Sequence, residues 1–359
     1  MPKTQSVIAL DLLRGLAALE VFLEHFRGAS FVEYGALPLA QKNPLVAALF
    51  GLTRLGHEAV LVFFVLSGYL VCGQLISRAR EGRFDVRDYA TDRVTRIFLP
   101  LIPACLLTVA FDRLFFGTPI DLYQLIFNMA GLNGILAETL RLNPALWTLA
   151  YEIWFYIIGG AAAYLFCVRK PQALVLLIVI GSIGAFSVLE ARYLLIWIMG
   201  GMLVLLDQKA PNYRLALGGA CLALVGVTLW QLSMQSQSFT NATYLPAGIT
   251  ELLICAGVAL IIPFATTPKF NSYLGFLRKP SQYLSAVSFS LYLFHSPINS
   301  VLDLFIPKFS TLSLISFAAF LTRVVLTLLV VTFLYMLFER NTGALRRHFR
   351  ASSTVRVTP

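Results

Sequence analysis

Charged and titratable residues stand inside otherwise apolar stretches of this 359-residue chain, and their spacing is the first clue to its chemistry. In VIALDLLRGLAALEVFLEHFR, Arg14 and His25 lie eleven residues apart. At about 100° per residue they fall within about 20° of one helix face, separated by roughly 16 Å along the axis. That face carries a fixed cation and, three turns on, a titratable base. Two plainer alternatives exist. Arg14 pairs with Asp11 one turn back while His25 closes the helix end, or the helix lies amphipathically on a membrane surface. The scatter of acidic and basic residues around the helix counts against the second.

Other candidates follow along the chain. In RFDVRDYATDRVTRIFLP, Arg93 and Arg96 are one turn apart. They either follow the cationic bias of cytoplasmic loops or offer a fork of guanidinium groups suited to phosphate. In NPALWTLAYEIWFY, Glu152 and Tyr156 share a face at i, i+4. A Glu inside a span either pairs with a buried cation or acts as acid or base. Trp147 and Trp154 read as an interfacial belt, with Trp147 also a candidate to line a site. In SFSLYLFHSPI, Ser288, Tyr292 and His295 share a face, and Pro297 lets the helix kink. His295 is either a satisfied core histidine or a site residue. Ser67 and Gly68, in GHEAVLVFFVLSGYL, read as small residues for close helix approach, with Ser67 kept as site-lining. Arg323 needs a partner, and Glu251 and Asp303 are equal candidates. Cys72, Cys105, Cys167, Cys221 and Cys255 sit in apolar runs without a CxxC pair, so they read as small core residues, and no metal is expected.

The elements that must position these groups are membrane helices. The chain is 58% hydrophobic and 13% charged, half the charged share of about 25% in soluble domains. This excludes a soluble enzyme, a disordered chain and a secreted disulfide scaffold. Apolar runs of the necessary 20 or so residues lie near 7–27, 57–77, 94–116, 147–168, 172–189, 193–206, 213–232, 247–265, 283–303 and 314–338. The expectation is an all-α polytopic membrane protein with about ten transmembrane helices, the shorter 120–137 stretch being re-entrant or interfacial. One set of loops collects Lys3, Arg78 to Arg96, Arg169, Lys170, Lys209, Arg214, Lys269, Arg278, Lys279 and the Arg-rich end. The opposite set holds only Lys42, Arg54, Arg141, Arg192 and Lys308. Both termini are therefore expected in the cytoplasm. Membrane topology rather than nucleic acid accounts for the +10 net charge. The charges of the first segment fit no cleavable signal peptide. The domain expectation is one transmembrane domain over 1–345 and a basic cytoplasmic tail over 346–359. Taken alone, many spans with buried ions also suit a secondary transporter exporting an anionic lipid or sugar.

The ordered set of LDLLRGLAALEVFLEH, the GHEAVLVFFVLSGY block, RVTR, WTLAYEIWFY, SFSLYLFH and a closing FER resembles the acyltransferase 3 family of bacterial membrane-bound acyltransferases, over about residues 7–340. The resemblance implies an enzyme of the multi-pass cytoplasmic (inner) membrane that transfers acyl groups other than amino-acyl groups. The donor it implies is cytoplasmic acyl-CoA, a substrate rather than a bound cofactor, carrying acetyl or in some members succinyl. The acceptor it implies is a hydroxyl of a surface polysaccharide, glycolipid or other lipid-linked sugar. Carried over by motif, Arg14 and His25 match an Arg-x10-His element, Arg93 and Arg96 a paired-arginine element, Glu152, Phe155 and Tyr156 a Glu/Phe-Tyr element, and His295 a late histidine. The roles implied are Arg14, Arg93 and Arg96 toward acyl-CoA, His25 as general base or transient acyl carrier, and Glu152 beside it. Trp147, Tyr156, Tyr292, His295 and Ser67 would line the acceptor site. Asn341 stands where the family often has Pro after the closing Glu-Arg, and no fused extracytoplasmic hydrolase-like domain is seen, so transfer is expected in the membrane domain or through a partner.

Overall fold

A computed structural model describes residues 7–168, 173–205, 213–233, 246–343 and 346. The expected loop over 233–244 and tail over 346–359 lie almost wholly outside these, as do Lys3, Arg169, Lys170 and Lys209. The described chain is nearly all helical: α1 (Ile8–Ser30), α2 (Pro44–Leu52), α3 (Gly56–Arg80), α4 (Val86–Phe116), α5 (Leu122–Met129), α6 (Trp147–Val168), α7 (Ala173–Val188), α8 (Ala191–Met202), α9 (Tyr213–Ser233), α10 (Ala247–Ala265), α11 (Pro268–Tyr273), α12 (Arg278–Leu302) and α13 (Leu314–Phe338).

Among the described residues, six helical stretches are long and apolar enough to cross a membrane: Pro44–Arg80, Val86–Phe116, Pro144–Cys167, Tyr213–Leu232, Ala247–Ala265 and Leu314–Phe338. Four further helices stand where spans were expected. α1 and α12 are long but carry buried charge and polar residues, and α7 and α8 are apolar but short. α5, in the expected re-entrant stretch, has eight residues and so about 12 Å of length, far short of a bilayer core of about 30 Å. It leaves Leu122, Tyr123 and Ile126 exposed, as an interfacial segment does. α4 begins at Val86 rather than 94 because the Asp85 carboxylate accepts the Asp88 N–H at 2.8 Å and caps it.

The chain divides into two compact units, one of Met1–Tyr69, Leu195–Tyr292 and Leu302–Leu328, the other of Leu70–Leu194, Leu293–Val301 and Leu329–Pro359. In the first unit small residues let helix backbones touch. A Cβ on Gly15 would fall 2.5 Å from Leu284 Cβ, so α1 lies directly on α12, and Ser285 Oγ donates to Asp11 at 3.2 Å. Cβ atoms on Gly68 and Gly200 would fall 1.9 Å from Trp197 O and 2.1 Å from Val65 O, which welds α3 to α8. Gly219 and Gly257 do the same for α9 and α10. Arg323, fully buried, bonds Asp303 and donates to Ile306 O at 2.8 Å, so Asp303 rather than Glu251 answers that charge.

In the second unit α6 packs on α4 and α7, with the Tyr89 ring against Gly160. α4 stays continuous through Pro100 and Pro103. α12 likewise stays helical through Pro297, whose missing N–H leaves Leu293 O without its i+4 donor. Asn143 Nδ2, fully buried ahead of α6, supplies that bond at 2.9 Å. Cys105 and Cys255 are buried as expected, whereas Cys167 and Cys221 are exposed on apolar helices. A residue on such a helix face meets lipid rather than core, which corrects the core reading for those two.

Candidate active site

The second unit gathers four of the candidate residues, with Tyr156 in contact with Arg93 and Glu152 and electrostatically with Arg96. Arg93 and Arg96 sit one turn apart on α4, and Glu152 and Tyr156 one turn apart on α6. The Arg93 guanidinium carbon lies 4.7 Å from the centre of the Tyr156 ring and 5.2 Å from that of Tyr89. Its Nη2 donates to Gln74 Oε1 at 2.9 Å. Such stacking suits the flat, weakly hydrated guanidinium. Among the described residues Arg93 makes no ion pair, and its Nε–H is buried without an acceptor. The cradle is itself braced, since Tyr89 OH donates to Tyr156 O at 2.8 Å and Tyr156 OH bonds the Glu152 carboxylate. Arg96 feels the charges of Glu152 and Glu339 and the Tyr156 hydroxyl. Asp92, the carboxylate next in sequence to Arg93, is occupied by Arg78 at 3.1 Å and Arg346 at 3.6 Å. An anion entering here meets a cation with an unused donor and no competing carboxylate bonded to it.

Two further candidates, Trp147 and His295, belong to the same unit. Trp147 packs in an aromatic group, its centroid 5.7 Å from Tyr151 and 5.6 Å from Tyr193. His295 is fully buried on α12, two residues beyond the carbonyl that Asn143 holds. In the first unit, Arg14 and His25 share α1, Arg14 half-buried and His25 exposed. Ser67 Oγ accepts from the Trp197 indole at 3.3 Å, serving the α3–α8 contact that Gly68 permits. Tyr292 is buried edge-on to Phe63.

Several residues of consequence were not singled out from sequence. Tyr89 was readable, since it lies at i−4 from Arg93 on one helix face. Gln74 and Asn143 were not, because each reaches another helix. The first unit also holds a polar group built from His57, Glu58, Trp230, Gln231 and Glu251, of which the sequence singled out Glu251 alone, as a candidate partner for Arg323.

Among the described residues no group of three or more His, Cys, Asp or Glu side chains is arranged to hold a metal ion. A family described as an acyltransferase domain matches residues 7–338. An O-acetyl transferase of Shigella phage Sf6 is 29% identical over 195 residues, covering 51% of this chain and 54% of the phage protein. The match thus spans about half the length of that curated relative. No solved structure matches. With the family match running through nearly every helix described above, the chain belongs to the acyltransferase 3 family.

Proposed function

We propose that the protein is a membrane-bound O-acyltransferase that moves an acyl group from cytoplasmic acyl-CoA to a hydroxyl of a surface polysaccharide or lipid-linked sugar. Acetyl is the favoured group, in keeping with the name of the phage relative, and succinyl the alternative. The observation that carries this is the Arg93 cradle, a half-buried cation with a buried, unused Nε–H and its guanidinium over two tyrosine rings. A CoA donor presents phosphates, and planar donors with fixed positive charge are what phosphate oxygens accept from. Arg96, one turn on along α4, adds a second cation, and Glu152 with Tyr156 keeps the cradle in shape.

His25, exposed toward the far end of α1, is the group toward the acceptor. As general base it takes the hydroxyl proton while the oxygen bonds to the acyl carbon and the C–S bond breaks, and it then returns the proton to the CoA thiolate. As acyl carrier it bonds to the acyl carbon first. Both roles need ten crossing helices with the termini in the cytoplasm, so that Arg93 faces the CoA pool and His25 the outside.

The test uses purified protein in detergent with radiolabelled acetyl-CoA or succinyl-CoA and follows thioester cleavage and label retained on the protein. Wild type is expected to cleave one donor in preference, and His25→Ala to abolish cleavage with unfolding temperature unchanged. A fully active His25→Ala protein would remove His25 from the mechanism. Folded wild type that cleaves neither donor would shift the reading toward an exporter.

A further inference from the structure

The polar group of the first unit has the construction of a proton acceptor. His57 opens α3, and its Nε2 lies 2.9 Å from Glu251 Oε1 on α10. Glu251 is fully buried, while the His57 side chain keeps 27% of its surface exposed. The ring is stacked on Trp230 of α9, centroids 4.3 Å apart and planes 9° from parallel, so its direction is fixed by a second helix. A histidine whose Nε2–H donates to a carboxylate presents its lone pair at Nδ1. Among the described residues, His57 Nδ1 makes no hydrogen bond.

Acidic side chains surround the ring. Glu58 is buried, its Oε1 accepting from Gln231 Nε2 at 2.6 Å, and its Oε2 is buried with no donor among the described residues. Glu24 of α1 lies so close to Gly56 that a Cβ there would fall 1.8 Å from its Oε2. Glu24 and Glu58 both act electrostatically on His57, and Glu20 adds a further negative charge beside Glu58. Arg27 and Arg54 are the cations facing this group, and Arg27 is already engaged by Glu33 and Thr53 O. Glu24 is also next in sequence to His25, so His25 and His57 belong to the same end of this unit.

We propose that His57 and Glu251 form the dyad that takes the proton from the attacking hydroxyl, which leaves His25 as the acyl carrier. The proposal rests on the acyltransferase reading above. In the first half, a His25 nitrogen bonds to the acyl carbon as the C–S bond breaks, and CoA leaves as thiolate and takes a proton from water. In the second half, the hydroxyl oxygen bonds to the acyl carbon as the C–N bond breaks, its electron pair returning to His25. The hydroxyl proton passes to His57 Nδ1, Glu251 balances the resulting charge, and the exposed ring edge releases the proton to solvent.

The two halves are separable with labelled acetyl-CoA as donor and water as the acceptor. In His57→Gln, protein-bound label and first-turnover CoA release are expected at the wild-type rate, while steady-state turnover falls about 100-fold, the scale of a lost general base. Added imidazole is expected to restore turnover, which no purely structural defect allows. Glu251→Gln is expected to behave in the same direction with a smaller loss. Wild-type turnover in His57→Gln would overturn the proposal, as would loss of labelling together with turnover, or failure of imidazole to restore it. Wild type that neither labels nor cleaves brings down the acyltransferase reading, and the dyad with it.

Discussion

At the residue scale, the decisive contrast is between charge and shape at Arg93. Its guanidinium is held by two rings and one amide, contacts that depend on a planar fork rather than on a positive charge alone. Arg93→Lys keeps the charge and loses the fork, so the apparent KM for acyl-CoA is expected to rise about tenfold, the effect of losing about 1.4 kcal/mol of binding, with kcat within about twofold. Steady-state thioester cleavage against acyl-CoA concentration measures this, and an unchanged KM would show that the site needs only a cation. The pair Arg93 and Arg96 was legible in RVTR, and Tyr89 stood one turn earlier on the same face. Gln74 was not legible, because nothing in a linear string says which face of α3 meets α4. Arg323 makes the same point. Glu251 and Asp303 were equal candidates by sequence, and packing gave Asp303 to Arg323 and Glu251 to His57.

At the element scale, α12 shows how one missing N–H is answered from 150 residues away. Pro297 withdraws the donor that Leu293 O would otherwise have, and an unpaired buried carbonyl costs about 1–3 kcal/mol. Asn143 removes that penalty and ties the segment entering α6 to the segment carrying His295. Asn143→Ala is therefore expected to destabilise the protein by about 2 kcal/mol. Pro297→Ala returns an N–H to Leu293 O, and in that background Asn143→Ala is expected to cost at least about 1 kcal/mol less. Denaturant unfolding in detergent of both single variants and the double variant checks this, and strictly additive effects would dissolve the coupling. Proline marked the broken ladder in the sequence. The side chain that completes it did not show, since long-range hydrogen bonds leave no period. The helices themselves were legible because apolar length does, even in α1, whose charges disguise it.

At the scale of the whole molecule, the question is whether four less apolar helices cross the bilayer along with the six apolar ones. α7, with 16 residues, is about 24 Å long, short of the core by an amount that local thinning accommodates. α1 and α12 pack backbone to backbone at Gly15 and Leu284 and pair polar groups in the Ser285–Asp11 bond, and such pairing is how polar groups are tolerated in a span. The two arrangements differ in sidedness. With ten crossings, the turn at Gly82 and the residues after α13 share one side, and Glu190 and Lys308 lie on the other. With six, the turn at Gly82 shares a side with Glu190 and Lys308, and the residues after α13 lie opposite. The cationic bias favours the first, since it places Arg78, Arg80, Arg83 and Arg340 together inside. In a protein whose five cysteines are replaced by serine, single cysteines at Glu190 and Lys308 are expected to react with an impermeant thiol reagent added to intact cells. Cysteines at Gly82 and Thr342 are expected to react only after permeabilisation. Labelling of Thr342→Cys from outside, with Gly82→Cys protected, would establish six crossings. It would then put α1, and the His25 that the transfer chemistry needs, on a membrane surface rather than through it.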